Sequence, residues 1–181
     1  MGKFQNKYRI PSARKNEWDY ASSGAYFITI CTEGREYLFG EIENGEMKLS
    51  SIGDIIQQEW NKSFEIRREL FCDTFMIMPN HLHAIVRIDN DGVETHGRAS
   101  LQKSGIAYRS PKSISSFVAG FKSAVTKRIN EWYNTPGKSL WQSRFYDHII
   151  RDSYEYINIQ NYILENPLNW FQDDLFNVEK I

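Results

Sequence analysis

The stretch Met78-Pro-Asn-His-Leu-His-Ala-Ile-Val86 places two of the chain's four histidines one residue apart at the start of an apolar run. Apolar and β-branched residues fill 71–78 and 81–88, which predicts two strands with a tight turn between them. Side chains two apart on a strand point to one face, so His81 and His83 share a face while Leu82 packs into the core. The stretch therefore predicts a hairpin within a sheet, with a histidine pair on one face.

The rest of the chain alternates between strand and helix patterns. Strands are predicted at 25–32 and 145–150, and a hairpin at 37–49 turns at Glu43-Asn-Gly45. Apolar residues at helical spacing predict helices from Ser51 to about 63, over 113–133 and from about 153 to 165, where Pro167 stops the last one. Long helices among about five strands favour an α+β fold with helices packed on a mainly antiparallel sheet, in a ferredoxin-like arrangement.

The chain's 181 residues fit one domain spanning 1–181. Its core is expected at about 20–170, preceded by a basic N-terminal segment at 1–19. Residues 89–111 are polar and contain three glycines, which predicts a long mobile loop. No stretch reaches the roughly 20 apolar residues of a membrane span, and the first residues lack the apolar core of a signal peptide. We therefore expect a cytoplasmic protein with no membrane partner.

Positive charge is concentrated in two segments although the net charge is −1. Residues 97–130 carry seven lysines and arginines and no acid, and residues 1–16 carry five and no acid. A solvated basic face is the ordinary explanation, but interleaved aromatics such as Tyr108 favour a polyanion with bases that stack. The residues predicted to contact nucleic acid are Arg14, Arg109, Lys122, Lys127 and Arg128.

Spacing alone leaves the role of the histidine pair open. Two imidazoles on one strand face have the geometry of metal ligands, and hydrogen-bonded polar residues on an open strand show the same spacing. Tyr162 and Asn166 lie four apart in the last predicted helix, so they share one of its faces. They can add a third ligand, or they can be a packed aromatic and a residue that ends a helix.

The run Met78-Pro-Asn-His-Leu-His83 resembles the histidine-hydrophobic-histidine (HUH) signature of single-strand DNA transposases with one catalytic tyrosine. Other motifs over residues 20 to 170 resemble, in the same order, those of the REP-associated tyrosine transposases, named for repeated extragenic palindromes. These motifs are Tyr26-Phe-Ile-Thr29, Phe39-Gly-Glu41, Trp141-Gln142, Phe145-Tyr-Asp-His-Ile-Ile-Arg151 and Tyr162-Ile-x-x-Asn-Pro167. Each motif is weak alone, but their order and separations make the combination specific.

This resemblance implies an HUH endonuclease fold and assigns a role to four residues. His81, His83 and Asn166 are carried over as ligands of Mg²⁺ or Mn²⁺, and Tyr162 as the nucleophile. The implied activity is cleavage and strand transfer of single-stranded, hairpin-containing DNA through a 5′-phosphotyrosine intermediate. A phenol has a pKa of about 10, so it needs a nearby charge or base to react at neutral pH.

Three other functions remain compatible with the sequence. A relaxase or replication initiator uses the same histidines and tyrosine to nick DNA, although the short chain fits it less well. A DNA-binding protein with lapsed catalysis would use the basic residues alone, and a metalloenzyme of small molecules would leave Tyr162 without a task. The protein can act as a monomer or a homodimer, and we expect one chain to complete the site.

Overall fold

A computed structural model describes residues 20–89 and 112–176, and the backbone of two short antiparallel strands, β1 (Lys3–Phe4) and β2 (Lys7–Tyr8). The predicted mobile loop lies outside the described residues except for its first residue. The side chains of the basic N-terminal segment, with Arg14, lie outside them too, and so does Arg109 in the predicted loop.

Four antiparallel strands form the central sheet, in the spatial order β6-β7-β3-β8. Their bounds are β3 Gly24–Cys31, β6 Leu70–Met78, β7 His81–Ile88 and β8 Tyr146–Ile150. One helix connects β3 to β6 and another connects β7 to β8. Along the chain these elements follow the order β-α-β-β-α-β, and the second and fourth strands of that order, β6 and β8, lie at the edges of the sheet. This arrangement is ferredoxin-like, which confirms the predicted α+β fold.

Each of the three helices begins at a side chain that accepts a backbone N–H. They are α1 Ser51–Ile66, α2 Ile114–Tyr133 and α3 Ser153–Glu165, with Ser50, Ser113 and Asp152 as the capping residues. Capping residues satisfy amides that have no partner in the first helical turn, so these short polar side chains fix where each helix begins. The last helix, α3, follows the ferredoxin-like core in the chain and contacts β6 and β7 of the sheet.

A separate hairpin, β4 (Gly40–Glu43) and β5 (Glu46–Leu49), lies between β3 and α1. Its two turn residues, Asn44 and Gly45, have φ angles of 53° and 78°, the left-handed backbone that a two-residue hairpin turn requires. Strand β4 is shorter than predicted because Phe39 is fully buried in the core cluster and packs on Trp141 at 5.4 Å between ring centroids.

The two faces of the sheet are covered differently. On one face, Ile28 of β3 and Leu82 of β7 pack with α1 and α2 in the apolar core. Residues at alternate positions, including Thr29 and His83, point to the other face, where α3 contacts β6 and β7. Leu82 therefore lies in the core behind the histidine pair, as predicted.

Two smaller features of the described residues bear on earlier expectations. Both cysteines are free thiols: Cys31 is half-buried, and Cys72 is exposed on the edge strand β6, next to a register shift. No helix in these parts of the chain combines the length and apolar character needed to cross a lipid bilayer.

Candidate active site

His81 and His83 form a buried pair at the start of β7. Their exposed fractions are 0% and 2%, and their Nε2 atoms lie 2.9 Å apart. The adjacent strand β3 lies directly alongside, pairing Cys31 with His81 and Thr29 with His83. Burial and this pairing exclude the reading of two polar residues on an open strand face.

Neighbouring side chains fix how each imidazole is oriented. Nδ1 of His81 lies 2.7 Å from Oδ1 of Asn80, whose amide nitrogen donates to the carbonyl of Leu175 at 2.8 Å. Because that donation settles which end of the amide is oxygen, Nδ1 of His81 carries the hydrogen and Nε2 carries the lone pair. Nδ1 of His83 is 2.9 Å from Oγ1 of Thr29, a hydroxyl that can donate or accept. Such outer partners orient metal-binding histidines.

Burial keeps both imidazoles neutral. It lowers the pKa of His81 well below its usual value, and the neighbouring His83 lowers it further. It also lowers the pKa of His83 to about 4, although the carboxylate of Asp173 acts in the opposite direction. Neutral imidazoles present lone pairs at physiological pH, which is the state that binds a metal ion.

Helix α3 brings Tyr162 to the pair. Its hydroxyl lies 3.2 Å from Nε2 of His83 and donates to Oδ2 of Asp173 at 3.2 Å. The side chain is 46% exposed, so its hydroxyl touches the buried pair while the ring remains accessible from outside. Partial burial and then the Asp173 carboxylate raise the pKa of Tyr162 well above its usual value. The phenol is therefore protonated at neutral pH.

Asn166, one helical turn beyond Tyr162, is buried at the end of α3. Its Nδ2 donates to Oδ2 of Asp173 at 2.7 Å. Its Oδ1 is buried with no hydrogen-bond partner among the residues that the structure describes. A buried oxygen of this kind is costly unless something binds it.

Asp173 is a site residue that the sequence did not reveal. It follows a short 3₁₀ helix at Trp170–Gln172, and its Oδ1 accepts the backbone N–H of Leu175 at 2.6 Å. The residue lies beyond the end of α3, where helical spacing no longer predicts direction. The signal available in the sequence was Trp170, a large aromatic residue three positions before Asp173. Its burial in the structure shows that this segment packs against the rest of the protein.

Together these side chains form a group that can bind a metal ion. One potential ligand atom from each of His81, His83 and Asp173 lies within 4.8 Å of the other two. Asn166 is joined to this group through its hydrogen bond to Asp173, and its Oδ1 is the buried oxygen with no partner among the described residues. Two imidazoles with oxygen donors suit divalent ions of the first transition row, and also Mg²⁺ where oxygen ligands dominate.

The predicted basic residues with described side chains are not at this site. Lys122, Lys127 and Arg128 belong to α2, which covers the opposite face of the sheet. Lys122 donates to the carbonyls of Gln142 and Arg144, and Arg128 forms an ion pair with Glu59 at 3.0 Å. Lys127 is 76% exposed, with a loose contact to Glu131 at 3.8 Å. Their binding of nucleic acid stays a prediction.

Comparison with known proteins identifies the fold and the family. No model of a known protein family matches the sequence. An uncharacterised protein of Haemophilus influenzae is 37% identical over 170 residues, which cover 91% of this chain and 92% of that protein. A second protein of the same organism, named "Putative REP-associated tyrosine transposase", is 22% identical over 150 residues, 83% of this chain and 73% of its own.

A solved structure, described as a REP-associated tyrosine transposase bound to a REP hairpin, has a TM-score of 0.60 and 18% identity. The match covers 89% of this chain and 74% of that one. The fold is thus that of a transposase, a class of enzyme that processes DNA. The chain belongs to one family with the uncharacterised Haemophilus influenzae protein, and its similarity in sequence and in fold to REP-associated tyrosine transposases confirms the resemblance of its motifs.

Proposed function

We propose that the protein is a metal-dependent endonuclease and strand transferase that cuts single-stranded DNA through Tyr162. The observation that carries this proposal is the contact of the Tyr162 hydroxyl with Nε2 of His83, within a buried pair of neutral histidines. A nucleophile beside metal-binding nitrogens is what phosphoryl transfer to a tyrosine needs. Similarity in sequence and in fold to REP-associated tyrosine transposases supports the same activity.

His81, His83 and Asn166 would hold the ion, and Asp173 would supply a carboxylate oxygen next to it. When bound, Mg²⁺ or Mn²⁺ polarises a non-bridging oxygen of the scissile phosphate. The two imidazoles favour Mn²⁺ in intrinsic affinity, whereas cellular supply favours Mg²⁺. Asn80 and Thr29 keep both imidazoles oriented for this role through the hydrogen bonds to their Nδ1 atoms.

The residues around Tyr162 can carry the covalent step. The phenol oxygen attacks phosphorus, a P–O bond to Tyr162 forms, and the P–O3′ bond of the DNA breaks. The phenol proton passes to Oδ2 of Asp173, which already accepts its hydrogen bond at 3.2 Å. The leaving 3′ oxygen takes a proton from water, so the products are a 5′-phosphotyrosine and a free 3′-hydroxyl.

Rejoining uses the same residues in reverse. A 3′-hydroxyl from another strand gives its proton to water and attacks the phosphotyrosine, the P–O bond to Tyr162 breaks, and the released phenolate takes its proton back from Asp173. One phosphoester bond forms for each one that breaks, so no ATP is needed. All five site residues belong to one chain, which supports a site completed within a monomer.

The DNA partner we propose is a single strand that carries a palindromic hairpin. The related solved structure is described as bound to a REP hairpin, and this chain shares its fold. Lys127 on α2 and the basic segment at 1–19 would contact phosphates, which fixes position without reading sequence. A cytoplasmic location is consistent with this partner and is part of the proposal.

A covalent-adduct assay tests the proposed activity. The wild type is incubated with labelled single strands from repeats flanking its own gene, in Mn²⁺ or EDTA, and run on a denaturing gel. We expect an adduct in Mn²⁺ that is lost in EDTA and in Tyr162→Phe. The matched control is Tyr154→Phe, since Tyr154 is 78% exposed on the same helix.

The outcomes separate the proposed enzyme from its main rival. An adduct that persists in Tyr162→Phe refutes the assigned nucleophile. If the wild type forms no adduct but retards the same DNA in a native gel, the protein is a DNA-binding protein with lapsed catalysis.

A further inference from the structure

A groove of about 420 Å³ runs along the outer side of α3, beside the hydroxyl-bearing face of Tyr162. Its volume lies within the roughly 300–1,000 Å³ that is common for small-ligand sites. Besides Tyr162, Asn166 and Asp173, its lining consists of four amides and one acid. These residues are Asn158, Asn161, Asn169, Gln172 and Glu165.

The polar groups of this groove are available to a ligand. Within the described parts of the chain, the side-chain amides of Asn158, Asn161 and Gln172 make no hydrogen bond, whereas Asn169 donates to the carbonyl of Glu165 at 3.1 Å. An amide offers both a donor and an acceptor, so three of them can bind a planar heterocycle along its edge.

The charge of the lining excludes a phosphate as the occupant. No lysine or arginine lines the groove, and the carboxyl groups of Glu165 and Asp173 would repel an anion. In the proposed function, the phosphate of a bound strand must nevertheless reach the Tyr162 hydroxyl, which lies beside His83. Of the two uncharged parts of the flanking nucleotide, the base is the one whose edge carries donors and acceptors that the amides of the lining can pair with.

We propose that this groove is a specificity subsite for one of the two unpaired bases flanking the scissile phosphate. The inference rests on the proposed function, because it places the scissile phosphate at Tyr162. Asn158 and Asn161 bind the edge of the base, and the Glu165 carboxylate accepts from an exocyclic amino group.

This chemistry predicts which bases the subsite prefers. An amide pairs in bidentate fashion with adenine, and a carboxylate accepts from the amino group of cytosine. Thymine has no exocyclic amino group and would leave Glu165 without a donor. An unpaired base exposes its whole edge, so the groove need not enter a duplex to read it. Adenine or cytosine is therefore preferred over thymine at one flanking position.

The test uses a hairpin oligonucleotide with each of the four bases at each position flanking the mapped cut. Nicking rates in Mn²⁺ are compared for the wild type, Asn158→Ala, Glu165→Gln and the control Leu164→Ala. Leu164 is 54% exposed on α3 but does not line the groove. The second readout is the affinity of Tyr162→Phe for the same oligonucleotides in EDTA, measured by fluorescence anisotropy, with and without the groove substitutions.

We expect the wild type and Leu164→Ala to prefer adenine or cytosine over thymine by roughly tenfold at one position. Asn158→Ala and Glu165→Gln should reduce that ratio to about threefold or less while the hairpin is still bound. Equal nicking and binding of all four bases by the wild type, or an unchanged preference in both groove variants, would overturn the subsite. Base-selective binding without any adduct would keep the subsite and refute the proposed nuclease.

Discussion

The two faces of the central sheet are both buried, but by different chemistry. Toward α1 and α2, rings interlock: Trp60 stacks on Phe75 at 4.3 Å between centroids and meets Phe121 edge-on at 5.2 Å. Toward α3, buried polar residues such as Thr29 and the two histidines lie beside apolar ones such as Ile163, and each imidazole has a hydrogen-bond partner. The apolar face stabilises the fold. The face toward α3 holds polar groups in fixed positions, although burying polar groups costs free energy. Substitutions on the apolar face should therefore lower stability and spare activity, whereas substitutions of the polar groups toward α3 should lower activity and leave the protein folded.

The largest effect on activity is expected for His83→Ala. Removing an outer partner of a metal ligand typically costs ten- to a hundredfold, so removing the ligand itself should cost more than about a hundredfold in nicking rate. The variant should remain folded because the apolar face is untouched. The rate is measured on the hairpin oligonucleotide at saturating Mn²⁺, and circular dichroism reports the fold.

The matched control for this variant is His148→Ala. His148 is paired with Glu155 at 2.7 Å and lies outside the metal-binding group. Equal losses of nicking in both variants would show that the pair at the start of β7 has no special role.

The opposite result is expected for Phe117→Ala on the apolar face. Phe117 is fully buried and lies edge-on to Trp60 at 5.4 Å, so its removal leaves a cavity. Such truncations typically lower the free energy of unfolding by about 3–5 kcal/mol. Urea denaturation measures this loss, and nicking per folded molecule should be unchanged. A loss below about 1 kcal/mol would mean that this face does not carry the stability.

Thr29→Val is expected to have an intermediate effect on activity. The substitution keeps the volume but removes the hydroxyl 2.9 Å from Nδ1 of His83, so the imidazole loses the group that orients it. The Mn²⁺ concentration for half-maximal nicking should rise about ten- to a hundredfold. Thr74→Val is the control, since Thr74 is equally buried and its hydroxyl accepts from Gln160 instead. An equal shift in both variants would contradict the orienting role.

A smaller effect distinguishes two cations on α2. Lys127 is exposed, so Lys127→Ala should weaken DNA binding equally for all sequences. The slope of log K against log salt concentration should become shallower by about one unit. Arg128 is already paired with Glu59, so Arg128→Ala should change the free energy of unfolding by about 1 kcal/mol or less. Affinity titrations between low and moderate salt measure the first effect. A salt dependence that is unchanged in Lys127→Ala would remove that residue from the interface.

The smallest effect concerns the cap of α3. The backbone N–H of Arg151 and the His148 side chain lower the pKa of Glu155. A carboxyl group whose folded pKa is depressed contributes stability above its unfolded pKa and loses it as pH falls through the folded pKa. Glu155→Gln should therefore be slightly less stable than the wild type at pH 7, and the difference should vanish as pH falls through the lowered pKa of Glu155. Thermal denaturation across this range measures the difference, and a gap that widens in acid would contradict it.

Periodicity in the sequence predicted most of the fold. The helix at 153–165 and the strand at 81–88 have the predicted bounds, because apolar spacing and a stop at Pro167 act locally. Strand β4 begins later than predicted. The local sequence pattern is the same whether the buried Phe39 lies within a strand or just before one.

The site was predicted less completely. Motif resemblance named His81, His83, Tyr162 and Asn166, and the structure brings the first three into contact and joins the fourth to them through Asp173. Asp173 itself was missed, because no local rule gives the path of the chain beyond a helix end. The amide groove was missed for a related reason, as it joins one face of α3 to Gln172 beyond that end.

The contact between Tyr162 and His83 joins residues 79 positions apart. The histidine hairpin has a two-residue turn, so its strands can pair soon after they leave the ribosome. Tyr162, the proposed nucleophile, follows β8 in the chain and reaches the pair only after that strand has been made and α3 has docked. A nascent chain thus carries the histidine pair before it carries the tyrosine, so the cleavage proposed for Tyr162 would have to wait until the sheet is closed.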